Sequence, residues 1–309
     1  MQRFGINGWK AEDMPDVSGR RFVITGGNSG IGFEAARILG GAGAEVIILC
    51  RSPEKADKAV SSVKQEAPQA DIRAMGLDLA DLSSVERSAT NLAKEIDGID
   101  ALILNAGIMM PPKRETTQDG FEMQIGVNHL GHFALAGQLF PLVENTDGRI
   151  ISIASIAHKY GRKRINFKDL QSEKSYNPVL AYSQSKLANL LFIHELSRRL
   201  KKEDSAVVAA ACHPGYSATN LQFTGPGKLW KPAFGLMNLI FAQSAKYGAY
   251  PTLLAATEPK VRNGGYYGPT GFQEMGGPVR ETESETFARD PQASARLWQV
   301  SEDLTGVKW

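Results

Sequence analysis

Apolar, β-branched runs of four to seven residues recur along this chain, and segments with helical spacing lie between them. Arg21–Thr25, Glu45–Cys50, 72–77, Ala101–Leu104, 149–154 and 206–212 read as strands. Gly30–Gly41, Pro53–Glu66, Leu82–Glu95, 121–142 and 180–200 read as helices, with Ser52 placed as an N-cap. Strands that are apolar at every position, rather than at alternate ones, are buried on both faces. Strands joined through helices run parallel, with right-handed crossovers. The pattern therefore predicts an α/β fold, a doubly wound parallel sheet of about seven strands in the order 3-2-1-4-5-6-7. Its last short strand falls at 264–268, and a terminal helix follows at 291–304. Residues 1–20 read as a polar N-terminal extension, and 21–309 as one domain with no linker or repeat. A Gly-Pro-Gly turn, two aromatics and an apolar stretch break the rhythm at about 216–250, which reads as a small lid over the carboxyl edge of the sheet.

Composition removes several function classes. A net charge of +2 spread over both signs gives no footprint for nucleic acid or an anionic membrane. The basic stretch at 158–164 reads as a solvated loop. Cys50 and Cys212 are the only two cysteines, each inside an apolar run, and they make neither a disulfide framework nor a metal site. His129, His132, His158 and His213 lack ligand spacing with carboxylates or thiols, so packing or surface roles are expected and no metal. No signal peptide or twenty-residue apolar segment stands out, so the expectation is a soluble, cytoplasmic protein with no membrane span.

Two stretches carry the chemistry. Thr25-Gly26-Gly27-Asn28-Ser29-Gly30-Ile31-Gly32 directly follows the first strand and opens the first helix. Glycines let backbone approach a phosphate, and a helix start offers N–H groups and a positive dipole end. The spacing G-x-x-x-G-x-G differs from the common G-x-G-x-x-G, but the physics is shared. At the end of the second strand Arg51 stands where a carboxylate would hold a ribose 2′-hydroxyl, and a guanidinium fork suits a 2′-phosphate instead. Asp78 and Leu79, after the third strand, are placed to meet an adenine, with helix capping as the competing role for Asp78. Asn105-Ala106-Gly107 follows the fourth strand, where small residues let a cofactor lie against backbone. Ser155 closes the fifth as a hydroxyl donor, and Asn128 sits inside a helical stretch that it does not favour.

The second stretch is Tyr182-Ser183-Gln184-Ser185-Lys186. On a helix the spacing puts Tyr182 and Lys186 on one face, where the ammonium is expected to pull the phenol below its usual ~10. A dinucleotide cradle with a phenolic acid reads as hydride transfer to or from a carbonyl.

Together these pieces resemble the short-chain dehydrogenase/reductase family, which has a Rossmann-type fold. The matching elements are Thr25-Gly26-x3-Gly30-x-Gly32, Asp78, Asn105-Ala106-Gly107, Asn128, Ser155, Tyr182-x3-Lys186 and Pro214-Gly215-x3-Thr219, in family order over roughly residues 18–275. Val127–Phe133, Gln184–Asn189 and the strand end Leu49-Cys50-Arg51 look most like the retinol-dehydrogenase-like branch. So does the connection of twenty-six residues between Ser155 and Tyr182. The resemblance implies Tyr182 as general acid/base and Lys186 on the nicotinamide ribose. Ser155 would polarise the carbonyl, and Asn128 would hold a water in a proton relay through Lys186. It also implies Pro214 and Gly215 beside the nicotinamide, with Ser217 and Thr219 near its carboxamide.

The expected activity is NADP(H)-dependent interconversion of an alcohol and a carbonyl on a mid-sized, mostly apolar small molecule, in a protein able to form a homo-oligomer. Leu229, Trp230, Phe234, Leu236 and Met237 of the lid, with Met109 and Met110, are candidates to line the pocket. A catalytically silent NADP(H)-binding scaffold would need the cradle but not the Ser155/Tyr182/Lys186 set. A sugar-nucleotide epimerase or dehydratase would carry G-x-x-G-x-x-G in its loop.

Overall fold

The computed structural model describes residues 4–216 and 244–309. Among these residues one sheet of eight strands has the order β3-β2-β1-β4-β5-β6-β7-β8. The strands are β1 Arg21–Thr25, β2 Glu45–Cys50, β3 Ile72–Gly76, β4 Ala101–Leu104, β5 Arg149–Ile153, β6 Val208–Cys212, β7 Tyr266–Pro269 and β8 Val279–Thr282. The first seven are parallel, and β8 returns antiparallel to β7. The first seven follow the expected order. The eighth is a correction, and so is the start of β6, which begins at Val208 rather than at residue 206.

Both faces are covered. Helices α1 (Gly30–Gly41), α2 (Pro53–Glu66) and α8 (Ala245–Thr257) pack on one side, through Leu39, Val63 and Leu253 against Phe22, Ile24, Val46, Ile48 and Ile103. On the other side lie α3 (Leu82–Glu95), α5 (Gly131–Glu144), α7 (Pro178–Lys202) and α9 (Pro291–Thr305). They bury Val85, Phe133, Leu190 and Trp298 against Val23, Ile47, Leu49, Leu102 and Leu104. Successive residues of each central strand thus feed opposite cores, which is why no polar alternation shows in the sequence. Each such side chain contributes about 1.5–3 kcal/mol on burial.

Three further segments differ from the expectation. The helix expected at 121–142 is broken into α4 (Met123–Ile125), a π-helical turn Gly126–Leu130, and α5. A short helix, α6 (Ala157–Tyr160), follows β5. Residues 245–250, assigned to the lid, instead open α8, whose Tyr250 and Leu253 are buried. The rest of the proposed lid, and with it Leu229, Trp230, Phe234, Leu236 and Met237, lies outside the described residues. The N-terminal extension is pinned to the body: Trp9 and Val17 are buried, and Trp9 N–H donates to the Val279 carbonyl at 2.8 Å. No described helix is long and apolar enough to cross a membrane.

The order reversal places the topological switch between β1 and β4. Their carboxyl ends diverge into the crevice where open α/β sheets take ligands. The glycine loop, Arg51, Asp78, Asn105, Ser155 and Gly215 all follow carboxyl ends of strands and share that edge.

Candidate active site

The crevice is shaped first by Thr25, the last residue of β1. Its hydroxyl oxygen accepts the backbone N–H groups of Asn105 and Ala106, both at 2.9 Å. Asn105 answers by donating its side-chain amide to the carbonyls of Thr25 at 2.9 Å and Gly26 at 3.4 Å. The loops after β1 and β4 are therefore stitched together, so the Asn105 side chain shapes the cradle from behind.

The glycines are needed for close approach. Gly26 and Gly30 have φ of 67° and 57°, the left-handed region that side chains avoid. A Cβ on Gly32 would lie 2.4 Å from Asn105 Nδ2 and 2.6 Å from the Gly26 carbonyl oxygen. Ser29 precedes α1 as N-cap, but its side chain makes no capping bond, so Ser29, Gly30, Ile31 and Gly32 present a helix start to the crevice beside Asn28.

Arg51 is exposed, and its guanidinium has no hydrogen-bond or ion-pair partner among the described residues. It lines an open cavity of about 360 Å³ with Leu77, Asp78, Ser84 and Arg87. Asp78 is not the cap of α3. That role belongs to Asp81, whose carboxylate accepts Ser83 N–H at 2.9 Å, while Asp78 accepts Ala80 N–H at 3.0 Å. Leu79 is buried beneath Gly131, so it can offer the crevice only backbone.

Asn128 lies in the π-helical turn, a feature that recurs at functional sites. Its carboxamide accepts Ile108 N–H at 2.9 Å and donates to the Ile108 carbonyl at 3.1 Å and to Ser185 Oγ at 2.9 Å. Ser185 Oγ in turn donates to the Tyr182 carbonyl at 2.8 Å. Gly107 holds open the space between Asn128 and Lys186. A Cβ there would meet Asn128 Oδ1 at 3.1 Å and Lys186 Nζ at 3.7 Å.

Tyr182 and Lys186 lie one turn apart on α7, both buried, with Lys186 Nζ 5.9 Å from the Tyr182 ring centroid. The expected pull of the ammonium on the phenol is not what this site does. Burial pushes the Tyr182 phenol up to about 12, and a hydrogen bond with the Ser155 side chain opposes the rise. Burial also brings Lys186 down to about 8, and its ammonium donates to the Ile153 carbonyl at 2.8 Å. Desolvation is the largest influence on both groups. Ser155 Oγ accepts Ala157 N–H at 3.1 Å. On the far side His213 begins the loop to Pro214 and Gly215, and its Nδ1 accepts Gly215 N–H at 3.2 Å. Ser217 and Thr219 lie outside the described residues. Among the described residues no group of three or more His, Cys, Asp or Glu could hold a metal ion.

The spacing of residues did not reveal His132. Its Nδ1 lies 3.1 Å from the Asn128 carbonyl oxygen and its Nε2 2.8 Å from Thr25 Oγ1. The only available signal was its position four residues after Asn128.

A doubly wound sheet with this crevice and a buried Tyr–Lys turn beside Ser155 defines a nucleotide-dependent oxidoreductase. The short chain dehydrogenase family model matches residues 20–225, and the chain belongs to that family, in its retinol-dehydrogenase-like branch. Retinol dehydrogenase 14 of Mus musculus is 38% identical over 305 residues, covering 94% of this chain and 87% of its own length. Retinol dehydrogenase 13 of Homo sapiens is 37% identical, covering 98% and 89%. A crystal structure of an uncharacterized protein from Mycobacterium Paratuberculosis superposes with a TM-score of 0.81 at 40% identity, covering 97% and 98% of the two chains.

Proposed function

We propose that this oxidoreductase uses NADP(H) to interconvert an alcohol and a carbonyl on a mid-sized, mostly apolar substrate, with Tyr182 as general acid/base. The observation that carries the reading is the buried Tyr182 phenol in a hydrogen bond with Ser155, one helical turn from Lys186. The residues present fit the cofactor: a glycine cradle that a Cβ would fill, an uncapped helix start, and an exposed Arg51, without a partner among the described residues, on an open cavity. Gly26, Asn28 to Gly32, Asn105, Ala106 and Gly107 would hold the pyrophosphate and backbone side. Asp78 and Leu79 would meet the adenine, and Arg51 the 2′-phosphate. Lys186, Pro214 and Gly215 would meet the nicotinamide half. When bound there, the cofactor supplies or accepts the hydride.

The chain's own groups handle the proton. With its pKa near 12 the phenol stays protonated, so Tyr182 Oη can donate to an oxygen that becomes an alkoxide. Ser155 Oγ orients that oxygen. Lys186 sits behind the phenol, and Asn128 would hold a water that returns the proton through Lys186. The relatives' name, retinol dehydrogenase, directs the substrate search to apolar primary alcohols and their aldehydes. Following NADPH absorbance, consumed or formed, over a panel of aldehydes, ketones, steroids and primary and secondary alcohols, with Tyr182→Phe as control, tests the reading. No turnover on any member, or equal turnover by Tyr182→Phe, would favour the silent scaffold.

A further inference from the structure

The β7–β8 hairpin carries a conformation that its residues do not favour. Gln273 has φ 48° and ψ 27°, and Glu274 has φ 57°, so two successive non-glycine residues sit in the left-handed region. Such a pair persists only where the surroundings over-determine it, and it commonly marks a functional constraint.

What the strain achieves is the insertion of one carboxylate between three elements. Glu274 Oε1 accepts Lys159 Nζ of α6 at 2.8 Å and Thr282 Oγ1 of β8 at 3.1 Å. Its buried Oε2 faces Nε2 of the fully buried His213 at 3.4 Å. Because His213 Nδ1 accepts Gly215 N–H, the neutral ring carries its proton on Nε2, close to the carboxylate but outside hydrogen-bond geometry, so the contact between the two buried groups is electrostatic. On the α6 side, His158 Nδ1–H donates to the Ser155 carbonyl at 2.6 Å, and Ser183 Oγ donates to the Ala157 carbonyl at 2.8 Å.

We propose that Glu274 is a positioning residue that clamps the Ser155 loop, through Lys159, to the His213-Pro214-Gly215 loop, and so holds the proton-transfer pair in register with the nicotinamide side of the crevice. Glu274 touches neither Tyr182 nor Ser155 directly; it acts through α6 and His213. The inference rests on the reading of Ser155 and Tyr182 as the reacting pair.

The test uses the whole protein, with hydrogen–deuterium exchange read on peptides covering 155–160 and 213–216. Turnover is read with NADPH and 4-nitrobenzaldehyde as probe. Glu274→Gln keeps the size and removes the charge. It should speed exchange in both peptides and lower kcat roughly ten-fold, within the hundred-fold that a 1 Å misplacement can cost, with NADPH affinity within about two-fold of wild type. Lys159→Met should act in the same direction, and the double variant should be no worse than the more impaired single variant. Gln273→Gly relieves strain without touching the carboxylate; it should raise Tm slightly and leave turnover alone. If Glu274→Gln fails to fold, Lys159→Met carries the comparison. Unchanged exchange in either peptide, or looser peptides with wild-type kcat, overturns the clamp. Tyr182→Phe as fast as wild type removes the parent reading instead; in that case, and where the wild type is silent on this one probe, exchange alone judges the clamp, and unchanged exchange in either peptide still overturns it.

Discussion

The Thr25 hydroxyl donates its proton to His132 Nε2, 2.8 Å away, across the crevice wall from β1 to α5. The direction follows from the other ring nitrogen. Nδ1 faces the Asn128 carbonyl, which can only accept, so Nδ1 carries the proton and Nε2 must accept. Thr25 Oγ1 is then fully used, receiving Asn105 and Ala106 N–H. One imidazole thereby couples the π-helical turn to the glycine cradle. His132→Phe keeps the volume and removes both of these side-chain bonds. Urea unfolding should show a loss of about 2–4 kcal/mol, the range for two buried hydrogen bonds broken from one side. A loss below about 1 kcal/mol would mean that the chain of bonds carries little.

Tyr182→Phe should fold, bind NADPH, and lose turnover by about 10²–10⁴-fold. With the phenol at about 12, wild-type carbonyl reduction should be insensitive to its ionisation between pH 6 and 9. Alcohol oxidation, which needs the phenolate, should climb with pH throughout that range. A plateau in the oxidative profile below pH 8 would show that the phenol is far more acidic than its burial implies.

Arg51→Ala should weaken NADPH roughly ten-fold, the low end for a charge-assisted bond because the guanidinium is exposed, and leave NADH nearly unchanged. Fluorescence titration with both cofactors decides. Equal losses would remove the 2′-phosphate from the account of Arg51.

Four histidines tie stability to pH. Burial lowers His129 and His213 to about 3 and His132 and His194 to about 4, against 6.5 in the unfolded chain. Below pH 6.5 the unfolded state therefore binds more protons than the folded one, so stability falls as pH drops from 6.5 towards 4. Each histidine contributes about 1.4 kcal/mol per pH unit to that fall. Urea midpoints between pH 7 and 5 should decline steeply, and His194→Gln should flatten the slope by about one proton. An unaltered slope would place His194 in water rather than beneath Ser284.

The central sheet was legible in the chain because its strands carry consecutive apolar residues inside mostly polar ends, a pattern that burial on both faces explains. β8 escaped notice because Val279-Arg280-Glu281-Thr282 is a four-residue edge strand with one apolar residue. Helix α8 was hidden by Gly248 and Pro251, breakers tolerated because the helix is buried from Gly248 onward. At the site, spacing brought Tyr182 and Lys186 to one face but could not show that the ammonium is committed to Ile153. Nor could it show Glu274, since a lone glutamate in a glycine-rich hairpin reads as surface until its neighbours are known.

Trp9 has a consequence beyond anchoring. It bridges Val279 on the outer rim of β8, and the Ile6 carbonyl accepts from the Arg280 side chain beside it. A sheet rim left bare is a template for strands of other chains. Residues 6–9 therefore act as a guard on the sheet's growing end. Trimming them, or crowding them with a bulky fusion, should reveal itself first as self-association in a scattering measurement, before any change in chemistry.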